Sequence, residues 1–349
     1  MPVTLQDIAT HLGVSVATVS RALAGYSGVA PATRQRVLQA AREMGYHPNV
    51  TARRLQKQST DVIGFIIPTF GPRFSDPYFS ELMAGIGNAA AEQDYDVLVS
   101  TCSPDTPAEM QTYERFVQGR RVDGMLVVRT REQDARIAYL LEQRFPFVAF
   151  GRSRVEGDFC YLDVDGAAGI REATYHLIAL GHRRIAIILP PENLTFAHYR
   201  RLGFEEAMAE AGLPIEQTLV EHGDLTERSG HEIGRAFLTR DDPPSAIIAC
   251  NDLMALGVIS AAQGLGLTVG RDGSAEPSPR SVAVTGFDDV SLAAHSHPPL
   301  TTVRQPIYEI GQRISHMLVR LIEGETLEER HVILTPQLIV RESCGATAQ

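Results

Sequence analysis

From Asp61 onward the sequence alternates short apolar runs with longer amphipathic stretches, and this alternation constrains the fold more than any other feature. Strand-like runs that regularly follow helical stretches predict parallel β-sheets covered by helices on both faces, which is the α/β class. The length suffices for two doubly wound sheets of about six strands each. The strand-like runs are residues 62–67, 96–100, 124–128, 147–150, 184–189, 245–250 and 281–285, and helical stretches include residues 79–93, 108–119, 167–180 and 199–211.

The charge of the chain is distributed unevenly between its beginning and the remainder. The formal net charge is −10, yet residues 1–60 carry seven basic side chains against two acidic ones. The remaining residues therefore carry 25 basic and 40 acidic side chains. A basic first segment on an acidic body predicts an anionic partner held at one end. Charge alone also allows a chance fluctuation.

The basic segment has the pattern of three short helices. Thr4 can cap a helix that begins at Leu5, and Gly13 supplies a left-handed turn residue. Ser15 then caps a second helix over residues 16–24, and a third helix follows Pro31 and runs to about residue 44. The spacing of small, turn and apolar residues is typical of a helix-turn-helix, although a plain three-helix packing unit has the same composition.

Several strings of the sequence closely resemble the lactose-repressor (LacI/GalR) family of bacterial transcription regulators. The headpiece carries LQDIA at residues 5–9, LGVS at 12–15 and TVSRAL at 18–23. The stretch GYHPNVTARRL at residues 45–55 looks like the hinge of that family. The body adds NDLMALG at 251–257, GFDD at 286–289 and PPLTTVRQ at 298–305, so the resemblance covers nearly the full chain.

The resemblance implies a specific domain organisation. We expect a helix-turn-helix DNA-binding domain at residues 1–48 and a hinge helix with linker at residues 49–60. Residues 61–342 would form an effector-binding and dimerisation body, similar to periplasmic binding proteins, followed by a tail at 343–349. The two lobes would be discontinuous, with about 61–161 and 305–331 in one and about 162–291 and 332–342 in the other. The chain would cross between them near residues 161, 291–305 and 332.

The resemblance also implies which residues contact DNA. Val16, Ala17 and Arg21 would face the bases of the major groove, where Arg21 can donate two hydrogen bonds to a guanine. Serine and threonine hydroxyls would hold phosphates, and the leucine of the hinge helix would wedge into the minor groove. The predicted DNA-binding residues are Thr4, Leu5, Ser15, Val16, Ala17, Thr18, Ser20, Arg21, Asn49, Ala52, Arg53 and Leu55.

A second set of residues matches the ligand cleft of the family, because ligands bind outside the carboxyl ends of parallel strands. Acidic, amide and guanidinium groups offer directional hydrogen bonds to a polyhydroxylated ligand, and aromatic side chains offer flat faces to its ring. Alternatives remain open: an aspartate can cap a helix, Arg200 can form an exposed ion pair, and the aromatic residues can belong to the core. The predicted effector-binding residues are Tyr78, Phe79, Asp165, Phe196, Arg200, Asn251, Asp288 and Gln305.

Two motifs are set aside. The string GIGNAA at residues 85–90 spells a dinucleotide-binding pattern, but it lies inside a predicted helix rather than directly after a strand. His295 and His297 have no third ligand at useful spacing, and no catalytic constellation is evident, so neither metal, cofactor nor enzymatic activity is expected.

The sequence departs from the family pattern at two places. Leu225 stands where several sugar-binding relatives place a large aromatic residue, and residues 270–281 form a Gly-, Ser- and Pro-rich insertion.

The expected protein is a cytoplasmic homodimer that binds a pseudo-palindromic DNA operator and a small-molecule effector, most naturally a sugar. It would act as a repressor of carbohydrate uptake or catabolism genes. No apolar run approaches the roughly 20 residues that a membrane span requires, so no membrane partner is expected. The four cysteines are widely separated and are expected to be reduced. The alternative class is a cytoplasmic sugar-binding protein. The basic segment with its helix-turn-helix distinguishes the two, because a pure binding protein lacks it.

Overall fold

The computed structural model describes residues 3–23, 26–46, 59–69, 76–271, 278 and 280–346. The chain forms two compact units, residues 1–59 and residues 60–349, and each is described by itself. The predicted hinge residues 49–58 lie outside the described residues, as does most of the 270–281 insertion.

The first unit is a three-helix headpiece. Thr4 and Asp7 form a reciprocal capping box at the first helix, which ends at Gly13 in the left-handed conformation with φ 66°. Ser15 caps the second helix, since its hydroxyl accepts a hydrogen bond of 3.1 Å from the Thr18 amide. Ile8, Val19 and Val37 are fully buried where the helices meet. The helices are α1 (Leu5–Leu12), α2 (Val16–Leu23) and α3 (Pro31–Glu43).

The second unit contains two sheets with helices on both sides. The strands of the first sheet are β1 (Val62–Pro68), β2 (Asp96–Cys102), β3 (Gly124–Val127), β4 (Phe147–Phe150), β5 (Cys160–Val164) and β12 (His331–Leu334). This sheet is six-stranded and entirely parallel, in the order β12-β5-β4-β3-β1-β2. Its helices are α4 (Pro77–Glu92), α5 (Pro107–Val117), α6 (Ala135–Glu142) and α12 (Ile307–Ile322).

The strands of the second sheet are β6 (Ile185–Leu189), β7 (Val220–His222), β8 (Ala246–Ala249), β9 (Thr268–Val269), β10 (Ser281–Asp288), β11 (Thr301–Arg304) and β13 (Gln337–Ile339). Six of these seven strands follow the order β13-β11-β10-β8-β6-β7, with β9 beside β10, and β13 is antiparallel to β11. Its helices are α7 (Gly166–Ala179), α8 (Thr195–Glu210), α9 (Glu227–Leu238), α10 (Asp252–Gly264) and α11 (Ser291–His295), with a 3-10 turn at Gln217–Leu219.

The string GIGNAA lies within α4, so its predicted position inside a helix is confirmed. Gly85 instead permits a close approach between α4 and α12, because a Cβ atom there would lie 2.1 Å from the Tyr308 carbonyl oxygen. Reciprocally, a Cβ atom on Gly311 would lie 2.4 Å from the Leu82 carbonyl oxygen. The glycine therefore serves helix packing.

The lobe boundaries differ from the expected ones by a few residues. β5 and β12 pair with each other in the first sheet, with Val164 opposite Leu334. The first crossing therefore lies at Asp165 rather than near 161, and the third at residues 335–336 rather than near 332. The second, at residues 305–306, falls at the end of the expected range. The apolar pattern marked these strands, but pairing between distant segments decides which sheet each one joins.

The last described residues belong to the second lobe rather than to a tail that starts at residue 343. The Ser343 hydroxyl donates to the Val284 carbonyl oxygen at 2.6 Å and accepts from the Thr301 amide at 2.8 Å. Cys344 is buried among the core residues of this lobe. A polar serine in a short run after the final strand gives no apolar periodicity, so only the tertiary contacts reveal its burial.

Candidate functional site

The headpiece presents the predicted base-reading residues on one helix. Ala17 and Arg21 are exposed one turn apart on α2, whereas Val16 and Ser20 are half-buried on the adjoining face. The Ser15 and Thr18 hydroxyls lie 2.8 Å apart, and Thr4 is engaged in its capping box. Leu5 is half-buried at the start of α1. The predicted hinge contacts Asn49, Ala52, Arg53 and Leu55 lie outside the described residues.

A cleft lies between the two lobes of the body, at the carboxyl ends of both sets of strands, as expected for parallel sheets. Seven of the eight predicted effector residues line it, and Asp165 does not. Sequence reasoning did not predict eight of the lining side chains, which are Asp76, Val128, Arg129, Phe150, Asp163, Val164, Tyr199 and Leu225. The full lining comprises Asp76, Tyr78, Phe79, Val128, Arg129, Phe150, Gly151, Asp163, Val164, Gly166, Phe196, Tyr199, Arg200, Leu225, Asn251, Asp288 and Gln305.

Asp288 is the last residue of β10 and is buried in the wall of the cleft. Its backbone has φ 125°, a conformation that side chains other than glycine rarely adopt. Its carboxylate accepts a hydrogen bond of 2.6 Å from the Gln305 amide. Burial raises the pKa of the Asp288 carboxyl to about 7, while the charge of Arg200 acts in the opposite direction. The side chain is therefore an acceptor whose charge changes near neutral pH.

The guanidinium of Arg200, a residue of α8, lies between the ring of Phe196 in the same helix and the ring of Phe287 in β10. Its guanidinium carbon lies 4.6 Å from the Phe196 ring centre and 3.8 Å from that of Phe287. Nη1 donates to the carbonyl oxygen of Cys250. Nε is buried and has no hydrogen-bond partner among the described residues. Because a buried donor without a partner is costly, this N–H is a position where a ligand oxygen would be favourable.

Two predicted polar residues have structural roles at helix starts. Asn251 caps α10 by accepting from the Met254 amide at 3.0 Å, and its own amide donates to the Leu225 carbonyl oxygen at 3.0 Å. Asn251 lines the cleft, but its side-chain oxygen and nitrogen already form hydrogen bonds within the protein. Asp165 caps α7 through a 2.9 Å bond from the Ala168 amide, at the crossing between the lobes. Asp165 is therefore a helix cap, which is the alternative that the sequence left open. Asn251 both caps a helix and lines the cleft.

The first lobe adds charged pairs that sequence reasoning did not find. Asp76 and Arg129 form an ion pair of 2.9 Å, and the Arg129 guanidinium lies over the Phe79 ring at 4.8 Å. Asp163 accepts a 2.6 Å hydrogen bond from Arg152. Burial raises the pKa of both aspartates, and the neighbouring arginines oppose this rise. The sequence did contain a positional signal for these arginines. Arg129 and Arg152 each follow the carboxyl end of a parallel strand, which is where ligand sites form in such sheets.

Within the described ranges, no group of three or more His, Cys, Asp or Glu side chains is arranged to hold a metal ion. Across those same residues, no helix has the length and apolar character needed to span a membrane.

Comparison with known proteins agrees with both units. Residues 4–49 match the model for bacterial regulatory proteins of the lacI family, and residues 174–344 match the periplasmic binding protein-like domain. The transcriptional regulator AglR of Rhizobium meliloti (strain 1021) is 36% identical over 99% of this chain and 95% of its own length. The chain belongs to the lacI family of bacterial transcription regulators.

Further relatives of this lacI-family protein support the assignment over the whole chain. CytR, a transcriptional repressor of Escherichia coli (strain K12), is 33% identical over 98% of this chain and 96% of its own length. Among solved structures, the lac repressor dimer bound to operator and the anti-inducer ONPF has a TM-score of 0.84 at 28% identity, covering 99% of this chain and 100% of its own. A CelR–cellobiose complex has a TM-score of 0.73 at 33% identity, covering 98% and 99%. The predicted family, fold class and regulatory function are confirmed.

Proposed function

We propose that this DNA-binding regulator is a cytoplasmic repressor of carbohydrate uptake or catabolism genes. An uncharged sugar bound in the cleft either releases it from its operator or promotes its binding to the operator. The observation that carries the sugar proposal is the set of polar groups around Arg200 and Asp288 between aromatic walls. Arg200 offers a buried N–H donor, and Asp288 offers acceptors fixed by Gln305. Tyr78, Phe196 and Tyr199 supply flat faces for a ring.

The charges of the cleft favour a neutral ligand over a phosphorylated or carboxylated one. Asp76 is paired with Arg129, and Asp163 with Arg152, so these guanidiniums already neutralise a carboxylate. Asp288 is the third carboxylate of the lining and lies in the field of Arg200. A dianionic phosphate entering the cleft would meet three carboxyl groups, and among the described guanidiniums of the cleft only that of Arg200 is not paired with a carboxylate. Hydroxyl groups can bond to both members of such pairs without adding charge.

Relatives provide independent support for a sugar. One structural neighbour at 33% identity is CelR in complex with cellobiose, and another at 25% identity, from Enterococcus faecium, holds ribose. We infer that the same cleft takes a sugar here, with Leu225 in place of a large aromatic residue. Because the curated relatives are transcriptional regulators, we assign no enzymatic activity.

The headpiece and the relatives support a homodimer on a pseudo-palindromic operator. The exposed Ala17 and Arg21 on α2 can face base edges in a major groove, and two heads related by a two-fold axis read two similar half-sites. A structural neighbour is the lac repressor dimer bound to its operator. A sugar-binding protein without regulatory function has no use for such a headpiece, which is the feature that separates the two classes.

The ligand proposal is tested by thermal shift with a panel of sugars, each paired with its phosphorylated and carboxylated derivatives. A ligand that binds the native state raises the melting temperature, and we expect uncharged members to do so more than their charged partners. A larger shift with a phosphorylated member would contradict the charge argument.

A matched pair of variants then locates the site. Arg200→Ala should weaken binding of an active sugar by roughly 5- to 150-fold, because a lost partner costs about 1–3 kcal/mol. Arg201→Ala is the control, since this neighbouring arginine forms a 2.7 Å pair with Glu205 and does not line the cleft. Equal titrations for both variants would place the ligand elsewhere. Fluorescence anisotropy with operator DNA should show both variants still bound.

A further inference from the structure

The two lobes contact each other beside the cleft through one loop. We call residues 190–195, which follow β6 and end at the first residue of α8, the latch loop. The Thr195 amide donates to the Thr130 carbonyl oxygen at 2.9 Å, and Leu194 forms an isolated antiparallel bridge with Arg131. The Asn193 amide Nδ2 donates to the Asp105 carboxylate at 2.7 Å. Three successive residues of the second lobe thus bond to two loops of the first, and none of the three lines the cleft.

A second contact crosses between the lobes at the cleft itself. The Arg152 guanidinium of the first lobe lies 3.5 Å from the centre of the Tyr199 ring in α8 of the second lobe. Asp163, also of the first lobe, fixes this guanidinium through a 2.6 Å bond to Nε. A guanidinium over an aromatic ring is attractive, and more so where water is partly excluded. The cleft is therefore bridged at two separate places.

A buried ionic network supports the surface on which the latch loop rests. Arg131 pairs with Glu109 at 2.9 Å and with Asp105 at 3.0 Å, and its backbone amide donates to Asp134 at 3.0 Å. Arg136 lies behind them and pairs with Asp134 at 2.7 Å and Glu109 at 3.3 Å. Burying charges is unfavourable unless their geometry is well satisfied. Here the network orients the Arg131 backbone and the Asp105 carboxylate, which are two of the groups that the latch loop contacts.

We propose that the latch loop and the Arg152–Tyr199 pair form a cross-cleft latch that holds the lobes closed without ligand. The latch sets the fraction of protein whose cleft is already in the closed arrangement. A ligand that binds this arrangement therefore loses less of its binding free energy to closing the lobes. This regulatory consequence rests on the proposed function of the cleft. The latch itself does not, because its effect on lobe closure is measurable in the ligand-free protein.

The absence of tryptophan from the sequence provides a clean reporter. Tyr199→Trp keeps an aromatic face against Arg152 and introduces a single tryptophan, which is excited selectively over the tyrosines, at the contact between the lobes. Acrylamide quenching of that fluorophore in the full-length, ligand-free protein measures how often the contact opens. Asn193→Asp in this background is nearly isosteric, removes the amide donor and places a second carboxylate opposite Asp105. Because Asn193 is exposed, the substitution leaves the core intact, which a circular-dichroism melt verifies.

We expect Asn193→Asp to increase the open fraction about tenfold, which is the scale of losing a hydrogen bond to a charged group. Quenching should rise accordingly. The reciprocal change, Asn193→Asp with Asp105→Asn, exchanges donor and acceptor and should bring quenching part of the way back, because Asp105→Asn also removes the ion pair with Arg131. Arg154→Met is the control and should leave quenching unchanged, since it removes a guanidinium two residues from Arg152 that pairs within its own lobe with Glu132 at 3.5 Å. Unchanged quenching with Asn193→Asp would overturn the latch.

Discussion

The side-chain amide of Gln305 donates a hydrogen bond of 2.6 Å, from Nε2 to Oδ1, to the carboxylate of Asp288. Gln305 lies at the crossing between the lobes directly after β11, and Asp288 ends the neighbouring strand β10. The bond therefore joins the crossing segment to the wall of the cleft. It also fixes a carboxylate whose backbone has φ 125°.

The raised pKa of Asp288 makes stability depend on pH. An ordinary aspartate has a pKa near 3.9, whereas burial raises that of Asp288 to about 7. The folded protein thus holds a proton that the unfolded chain has lost, so this contribution is complete below about pH 4 and is lost as the pH rises through 7. Asp288→Asn retains an oxygen acceptor for Gln305. We expect it to raise the free energy of unfolding at pH 8 by up to about 4 kcal/mol and to have little effect at pH 4.

Urea denaturation of both proteins at pH 4, 6 and 8 measures this difference. Asp289→Asn is the matched control, because Asp289 pairs with Arg304 and Arg341, each at 2.7 Å. That substitution should lower stability at pH 8. A wild-type protein at least as stable as Asp288→Asn at pH 8 would show that the carboxylate is well solvated or fully paired in solution.

Replacement of Arg21 should reduce affinity for the correct operator specifically. Arg21 is exposed on α2, and loss of a bidentate contact to guanine costs about 1–3 kcal/mol. We expect Arg21→Ala to weaken the cognate duplex by that amount and to leave binding to random DNA nearly unchanged. Anisotropy titrations at several salt concentrations compare the two duplexes. Equal losses on both would make Arg21 a phosphate contact.

The hinge leucine is tested separately, since Leu55 remains a prediction from the family resemblance. Leu55→Ala should reduce operator bending and affinity without altering ligand binding, because an apolar wedge opens a base step and bends the duplex. Gel mobility of circularly permuted operator fragments measures the bend. Normal bending by the variant would remove Leu55 from the DNA interface.

Two glycines in α4 should respond to alanine with opposite signs. A Cβ atom at position 85 would lie 2.1 Å from the Tyr308 carbonyl oxygen, while one at position 87 would meet nothing within 4 Å. Gly85→Ala should therefore destabilise the protein by about 1–3 kcal/mol through overpacking. Gly87→Ala should stabilise it by up to about 1 kcal/mol through helix propensity. Urea denaturation distinguishes them, and equal effects would show that α4 and α12 adjust freely.

The sequence determined the family, the two-unit organisation and the strand–helix alternation, because these depend on local periodicity and on strings of adjacent residues. It also placed Asp288 in the cleft, because this residue ends a strand, whereas Arg200 lies within α8 and was placed there by the family resemblance. The capping signal of Thr4 and the helical position of GIGNAA rested on neighbouring residues in the same way, and the structure confirms both.

Only the tertiary structure decided the partners of these groups. The pairing of β5 with β12 fixed the crossings, and residues more than 50 positions apart in the chain formed the Asp76–Arg129 pair. The Asn193–Asp105 bond spans 88 positions, and no periodicity connects its two ends. Charge, burial and hydrogen bonding between distant segments depend on how the lobes pack, so the sequence could name candidate side chains but not the state or the partner of each.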